Sequence, residues 1–281
     1  VLPFFHIFAM TVCMNTPLAN GTQVVMLPRF ELRAMLDLLS RTGANVLPAV
    51  PTLVAALAKT GDRAKAALSS LEFVITGVAE FAKISQARVV EGYGLTEASP
   101  VASCGAYAVD SKPGSIGQPL PGTDIRFMDV DSGEMAKLGE RGELQVKGPQ
   151  VMLGYYENPE ATEDAFIDGW LRTGDVGYVD EQGYVFLVER IKDLIICSGF
   201  NVYPRTIEEA LSEHPAVDEN NVIGVPDDYR GEAPVAFVKL HEGKTATEAE
   251  LKKFLADRLN KLEMPKEIIF KDQLPKPLIG K

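Results

Sequence analysis

Cysteine is scarce in this chain. Cys13, Cys104 and Cys197 lie far apart, are odd in number and form no metal-type spacing. That pattern argues against a disulfide framework and for a reduced, cytoplasmic setting. None of the three stands where a thiol nucleophile would be expected. Long apolar runs are also missing: the most apolar stretch, Val1–Val12, is interrupted by Pro3 and His6, and a membrane span needs roughly 18 such residues. No signal peptide is visible. Positive charge is in deficit, with 28 Lys and Arg against 39 Asp and Glu for a net charge of −11. A broad surface for the phosphate backbone of nucleic acid is therefore disfavoured, and an anionic nucleotide would have to be held by a few placed cations. Internal repeats and low-complexity segments are lacking as well.

What remains is ample for a core: 281 residues, 46% of them hydrophobic, can form two domains. Val1 is not an initiator methionine and the chain stops on Lys281, so it reads as part of a longer chain. Gln23–Leu27 looks strand-like. Leu32, Met35, Leu36 and Leu39 repeat at helical spacing and end at Gly43, a plausible helix stop. A strand over 45–47 precedes a helix over 52–59 that Pro51 can open. Strands over 72–76 and 88–91 each run into a glycine-bearing loop, Thr76-Gly77 and Gly92-Tyr93-Gly94. Alternation of this kind predicts a parallel sheet with ligands outside the strand C-termini. From Ser111 to Arg190 the texture becomes short alternating runs between turns, the mark of a small antiparallel β-barrel subdomain. Beyond it, Pro204 opens a helix with Ile207 and Leu211 and Pro215 ends it, strands follow over 221–225 and 235–240, and Thr247-Glu248-Ala249-Glu250 is a capping box.

The most informative stretch is Arg172–Gly199. Asp175 stands there between glycines, the turn Asp180-Glu181-Gln182-Gly183 leads into Tyr184–Val188, and the charged step Glu189-Arg190-Ile191-Lys192-Asp193 precedes a new apolar segment. Such a step between two blocks marks an expected domain boundary. Arg-Thr-Gly-Asp, Glu-Arg-Ile-Lys-Asp and Ser-Gly-Phe-Asn-Val-Tyr-Pro, together with Pro3-Phe4-Phe5-His6, Tyr93-Gly94-Leu95-Thr96-Glu97 and the terminal Leu274-Pro275-Lys276 and Gly280-Lys281, resemble the adenylate-forming superfamily of acyl-CoA synthetases, luciferases and carrier-loading adenylation domains. The texture is closest to bacterial medium- or long-chain fatty-acid CoA ligases.

The resemblance implies an α/β fold: a partial large domain over residues 1–190, made of an α/β sheet part (1–110) and a β part (111–190), then a small mobile α+β lid over 191–281. It also implies ATP-dependent activation of a fatty acid to acyl-AMP and transfer to CoA, with ATP, Mg²⁺ and CoA required. Developing negative charge in both half-reactions calls for fixed donors or cations. Asp175 suits the ribose diol, since one carboxylate accepts from both hydroxyls; by itself it also reads as a turn aspartate. Arg190 offers planar, permanently charged donors, or else an ion pair with Glu189 or Asp193. Thr96 suits the α-phosphate and Glu97 suits Mg²⁺. Tyr93, flanked by Gly92 and Gly94, would lie on adenine or pack in the core, and Gly77 would line the same site.

By resemblance alone, Lys281 bridges the attacking carboxylate and the α-phosphate. Lys192 is the hinge, Ser198-Gly199-Phe200 line the pantetheine channel, and His6 gates between acyl and thiol channels. His6 stands where amino-acid-activating relatives have Asp, which favours an uncharged acyl group. The family's Ser/Thr/Gly-rich loop ending in Pro-Lys-Gly is absent, the segment after Gly77 is short, and Pro277 replaces a common Thr. These departures imply an inactive or impaired fragment and leave carrier-protein loading and a non-catalytic remnant as alternatives. Peripheral membrane contact and homodimerisation stay open.

Overall fold

The structure, a computed structural model, describes residues 2–49, 53, 56, 57, 60–75, 88–105, 112 and 114–275. They fall into two compact units. One runs to Thr173 and includes Tyr178–Phe186; the other holds Gly174–Gly177 and the chain from Leu187 onward.

In the first unit the helix Leu32–Thr42 forms where its periodicity predicts. Met35, Leu36 and Leu39 are buried, and Gly43 ends the helix at φ 60° with its N–H on the Leu39 carbonyl. Glycine takes that left-handed geometry with no Cβ penalty. Strands β1 (Val46–Pro48), β2 (Phe73–Ile75) and β3 (Arg88–Val90) are parallel in the order β1-β2-β3. The buried helix face meets Leu47, Leu57, Leu68 and Val74 in one apolar core. Gln23–Leu27, by contrast, is irregular; its side chains are exposed or half-buried, and no described strand pairs with it. β propensity without a partner ladder does not make a strand. The helix expected over 52–59 lies mostly outside the described residues, although Leu53 and Leu57 are helical and buried.

Gly92–Gly94 is a short strand, β4, and not the open loop expected. It pairs antiparallel with β5 (Val101–Cys104), which pairs in turn with β6 (Gln118–Pro119). Next, β7 (Asp124–Met128) and β8 (Gly142–Lys147) are antiparallel, with Phe127 opposite Leu144. β9 (Phe166–Ile167) folds back on the start of β10 (Trp170–Val179), and β11 (Val185–Arg190) follows. The sheet order is β11-β10-β8-β7, with β9 on β10. The antiparallel character expected of this region holds, but the described strands form an open sheet. A barrel would need β7 and β11, at opposite ends of that order, to pair. The predicted turn is built on Asp180, whose Oδ1 accepts from Gln182 N and Tyr184 N, both at 2.9 Å. Its other oxygen pairs with Lys112, and this ammonium partner holds the Asp180 carboxyl below the usual carboxylate range.

The second unit packs two helices, Pro204–Ser212 and Glu248–Leu255, on a sheet in the order β13-β12-β15-β14, with β16 (Glu267–Phe270) parallel to β15. Here β12 is Ile195–Cys197, β13 Phe200–Val202, β14 Val217–Asp227 and β15 Gly231–Leu240. Ile207, Leu211, Leu251 and Leu255 are fully enclosed against Ile195, Val222 and Val238. The capping box is real: Thr247 Oγ1 accepts from Glu250 N at 3.3 Å and Glu250 Oε2 accepts from Thr247 N at 2.8 Å.

Candidate active site

Two groups of predicted residues take shape, one in each unit. In the second, the hairpin of β10 and β11 sets Asp175 beside Arg190. Asp175 is 7% exposed, and its Oδ1 stands 3.0 Å from Nε of Arg190, whose side chain is 54% exposed. Asp175 belongs to strand β10 and not to a turn; its neighbour Gly174 takes φ 70°. The Arg190 guanidinium thus forms its ion pair with Asp175, not with its sequence neighbours Glu189 and Asp193. Glu189 is used elsewhere: Oε1 accepts from Arg190 N at 3.1 Å and Oε2 from Arg205 N at 2.9 Å, at the start of the helix Pro204–Ser212. A carboxylate there satisfies an orphan donor and complements the helix dipole.

Lys192 is exposed within the single 3-10 turn Ile191–Asp193. Ser198 and Gly199 join β12 to β13 with φ 55° and 81°, the two positive values of the tight hairpin turn that suits strand twist. Ser198 N donates to Arg230 O at 2.6 Å, and Phe200 beyond the turn is 63% exposed.

The first unit holds Gly92, Tyr93, Gly94, Thr96 and Glu97. Tyr93 is half-buried on β4 opposite Ser103. Gly94 has a reason the sequence hid: a Cβ there would lie 1.6 Å from the Pro100 carbonyl oxygen. Its small size serves the chain's own close approach, where ligand access was expected. Gly92 is less constrained, with a Cβ 3.4 Å from Ser103 O. Thr96 is exposed and Glu97 half-buried on the 3-10 turn Thr96–Ala98. His6 is exposed and not packed among apolar groups; its Nδ1 accepts from Phe8 N at 3.2 Å. Gly77 and Lys281 lie outside the described residues.

Sequence reasoning missed Tyr155, whose hydroxyl donates to Glu97 Oε1 at 2.8 Å. That bond, and then burial, push the phenol above the ordinary tyrosine range. No local signal points to it, because the partners are 58 residues apart. Burial also pushes the Cys13 and Cys104 thiols up, which suits inert and not nucleophilic cysteines.

Among the described residues no three His, Cys, Asp or Glu side chains gather as a metal site. A Mg²⁺ held through Glu97 is compatible with that, since this ion is commonly bound by one or two carboxylates plus substrate phosphates. Among the described residues no helix is long and apolar enough to cross a membrane.

The AMP-binding enzyme family matches residues 1–156, and the AMP-binding enzyme C-terminal domain matches residues 206–281. The chain belongs to the AMP-binding enzyme family. Over its whole length it is 42% identical to a long-chain-fatty-acid–CoA ligase of Bacillus subtilis and 36% identical to 4-coumarate–CoA ligase 3 of Oryza sativa subsp. japonica, covering 52% and 53% of them. Its fold matches ATP-bound MatB from Rhodopseudomonas palustris with a TM-score of 0.90 at 36% identity, covering all of this chain and 57% of that one. The chain thus spans about half the length of the curated relatives it matches.

Proposed function

We propose that this chain is the downstream part of an AMP-forming acid–thiol ligase. In the first half-reaction a carboxylate oxygen attacks the α-phosphorus of ATP and pyrophosphate leaves, giving acyl-AMP. In the second the thiol of CoA attacks the acyl carbon and AMP leaves, giving the thioester. The observation that carries this is the Asp175–Arg190 pair, a nearly buried acceptor joined to a half-exposed guanidinium, within a chain of this family. One carboxylate spans a vicinal diol, and the free edge of the guanidinium can donate to ribose or phosphate oxygens.

The remaining roles follow the family pattern. Tyr93, with Gly77 and Gly92, faces adenine; Thr96 donates to the α-phosphate; Glu97 holds Mg²⁺, which would neutralise phosphate charge. Lys281 bridges carboxylate and α-phosphate. His6 gates the acyl channel, Ser198-Gly199-Phe200 border the thiol's path, and Lys192 is the pivot between a large domain ending at residue 190 and a lid from 191. A long-chain fatty acid is the preferred acid, supported by the greater identity to the Bacillus ligase than to the rice enzyme and by an imidazole, not a carboxylate, at position 6.

The test is ATP–pyrophosphate exchange by the full-length protein. Exchange that depends on a long-chain fatty acid, with 4-coumarate inert, is expected. Lys281→Ala should remove exchange while sparing thioester formation from supplied acyl-AMP. Acid-independent exchange, or equal loss of both half-reactions in the variant, would overturn this assignment.

A further inference from the structure

Glu97 is gripped at two points by one short segment. Met152 N donates to the Glu97 carbonyl at 2.8 Å, and the Tyr155 hydroxyl donates to the carboxylate, also at 2.8 Å. The turn carrying Glu97 has no side-chain cap of its own. Tyr155, in contrast, is braced from behind. Its N–H donates to Thr162 Oγ1 at 2.9 Å, and that hydroxyl donates to Asn158 O at 2.8 Å. Gly154 stands at φ 153°, where a Cβ would come within 2.7 Å of Thr162 Cγ2, so the chain presses close against Thr162. Asn158 Oδ1 in turn caps the helix Pro159–Ala165 by accepting from Ala161 N at 3.1 Å.

Tyr155 is 41% exposed, so core packing is not what the ring chiefly supplies. Its polar end meets the side chain to which the ligase reading gives the metal. A neutral phenol donating one proton fixes the rotation of the carboxylate it meets. One oxygen is then committed to the phenol and the other is set in direction.

We infer that Tyr155 is a positioning residue that orients the Glu97 carboxylate toward the Mg²⁺ of a bound nucleoside triphosphate; the inference rests on the ligase reading above. Thr162 and Gly154 belong to the same support, because they set where the Tyr155 ring stands.

The experiment uses full-length enzyme carrying Tyr155→Phe, Glu97→Gln or both. Pyrophosphate exchange is followed against Mg²⁺ concentration, and Mn²⁺ binding in the presence of ATP is read by electron paramagnetic resonance. Groups that orient metal ligands typically change metal affinity by about 10–100-fold when removed. Tyr155→Phe should therefore raise the half-saturating Mg²⁺ and weaken Mn²⁺ binding by about that factor, with kcat at saturating Mg²⁺ nearly kept. In the Glu97→Gln background the second substitution should add nothing, since Tyr155 acts through Glu97. Unchanged metal dependence in Tyr155→Phe, or losses that add in the double variant, would overturn the inference alone. Absence of acid-dependent exchange in the wild type would overturn the ligase reading itself.

Discussion

Asp175 Oδ1 and Arg190 Nε stand 3.0 Å apart, the carboxylate nearly buried and the guanidinium half in solvent. Such a pair is neither a free surface ion pair, which contributes about 0–1 kcal/mol, nor a fully enclosed one, where losing a partner costs about 3–5 kcal/mol. Arg190→Leu should fall between, lowering stability by about 1–2 kcal/mol in urea unfolding followed by circular dichroism. Asp175→Asn, which keeps the shape and removes a charge, should cost less. A larger loss from Asp175→Asn than from Arg190→Leu would show that Asp175 serves the fold first.

Gly94→Ala should be severe. The new methyl would meet the Pro100 carbonyl oxygen at 1.6 Å, and backbone cannot swing away as a side chain can, so the β4–β5 pairing must part. A loss of more than about 3 kcal/mol is expected, at or beyond the usual range for overpacking. Gly139→Ala is the control, because a Cβ there meets nothing within 4 Å; only its backbone strain remains. Equal unfolding midpoints would contradict this.

Local rules explain which parts of this architecture were legible in the sequence. Gly43, Pro204, the Asp180–Gly183 turn and the Thr247 box each fix backbone geometry within a few residues, and each formed as expected. Gln23–Leu27 had strand composition and no partner among the described strands. β14 runs from Val217 to Asp227, well beyond the 221–225 expected, because polar Asp218, Glu219 and Asn220 and then Pro226 disguised an edge strand, where polar side chains and proline are tolerated. The hairpin that carries Asp175 and Arg190 was visible in the sequence, but the ion pair between them was not, since Glu189 and Asp193 stood nearer to Arg190 along the chain. Nor was Tyr155 on Glu97, since tertiary folding alone brings those segments together.

Thr247→Ala removes one half of the capping box and should destabilise the second unit by about 1 kcal/mol. The exchange of amide hydrogens in Glu248–Leu255 is the site-specific readout. Accelerated exchange confined to that helix and its contacts is expected, and unchanged protection would show that Leu251 and Leu255 hold the helix without its cap.

Asp227 accepts from Lys266 Nζ at 2.7 Å and from the N–H groups of Tyr229 and Arg230 at 3.0 and 2.9 Å. Lys266 first, and then those N–H donors, hold its carboxyl down at about 2, from 3.8. A depressed acid stabilises the fold above its unfolded pKa, and that contribution is lost as pH falls from about 4 toward 2. Carboxyl ¹³C NMR should show Asp227 titrating near 2 in the wild type and higher in Lys266→Met. Titration near 4 in both would contradict the geometry of the β14–β15 turn.

Calorimetric titration of the full-length protein with a non-hydrolysable acyl-AMP mimic is the measurement closest to the central claim. Binding at one site per chain is expected, weakened about tenfold or more in Asp175→Ala, since hydrogen bonds to charged groups are worth about 1.5–3 kcal/mol. Equal affinity in wild type and variant, with both folded, would contradict a ribose-holding role for the Asp175–Arg190 pair.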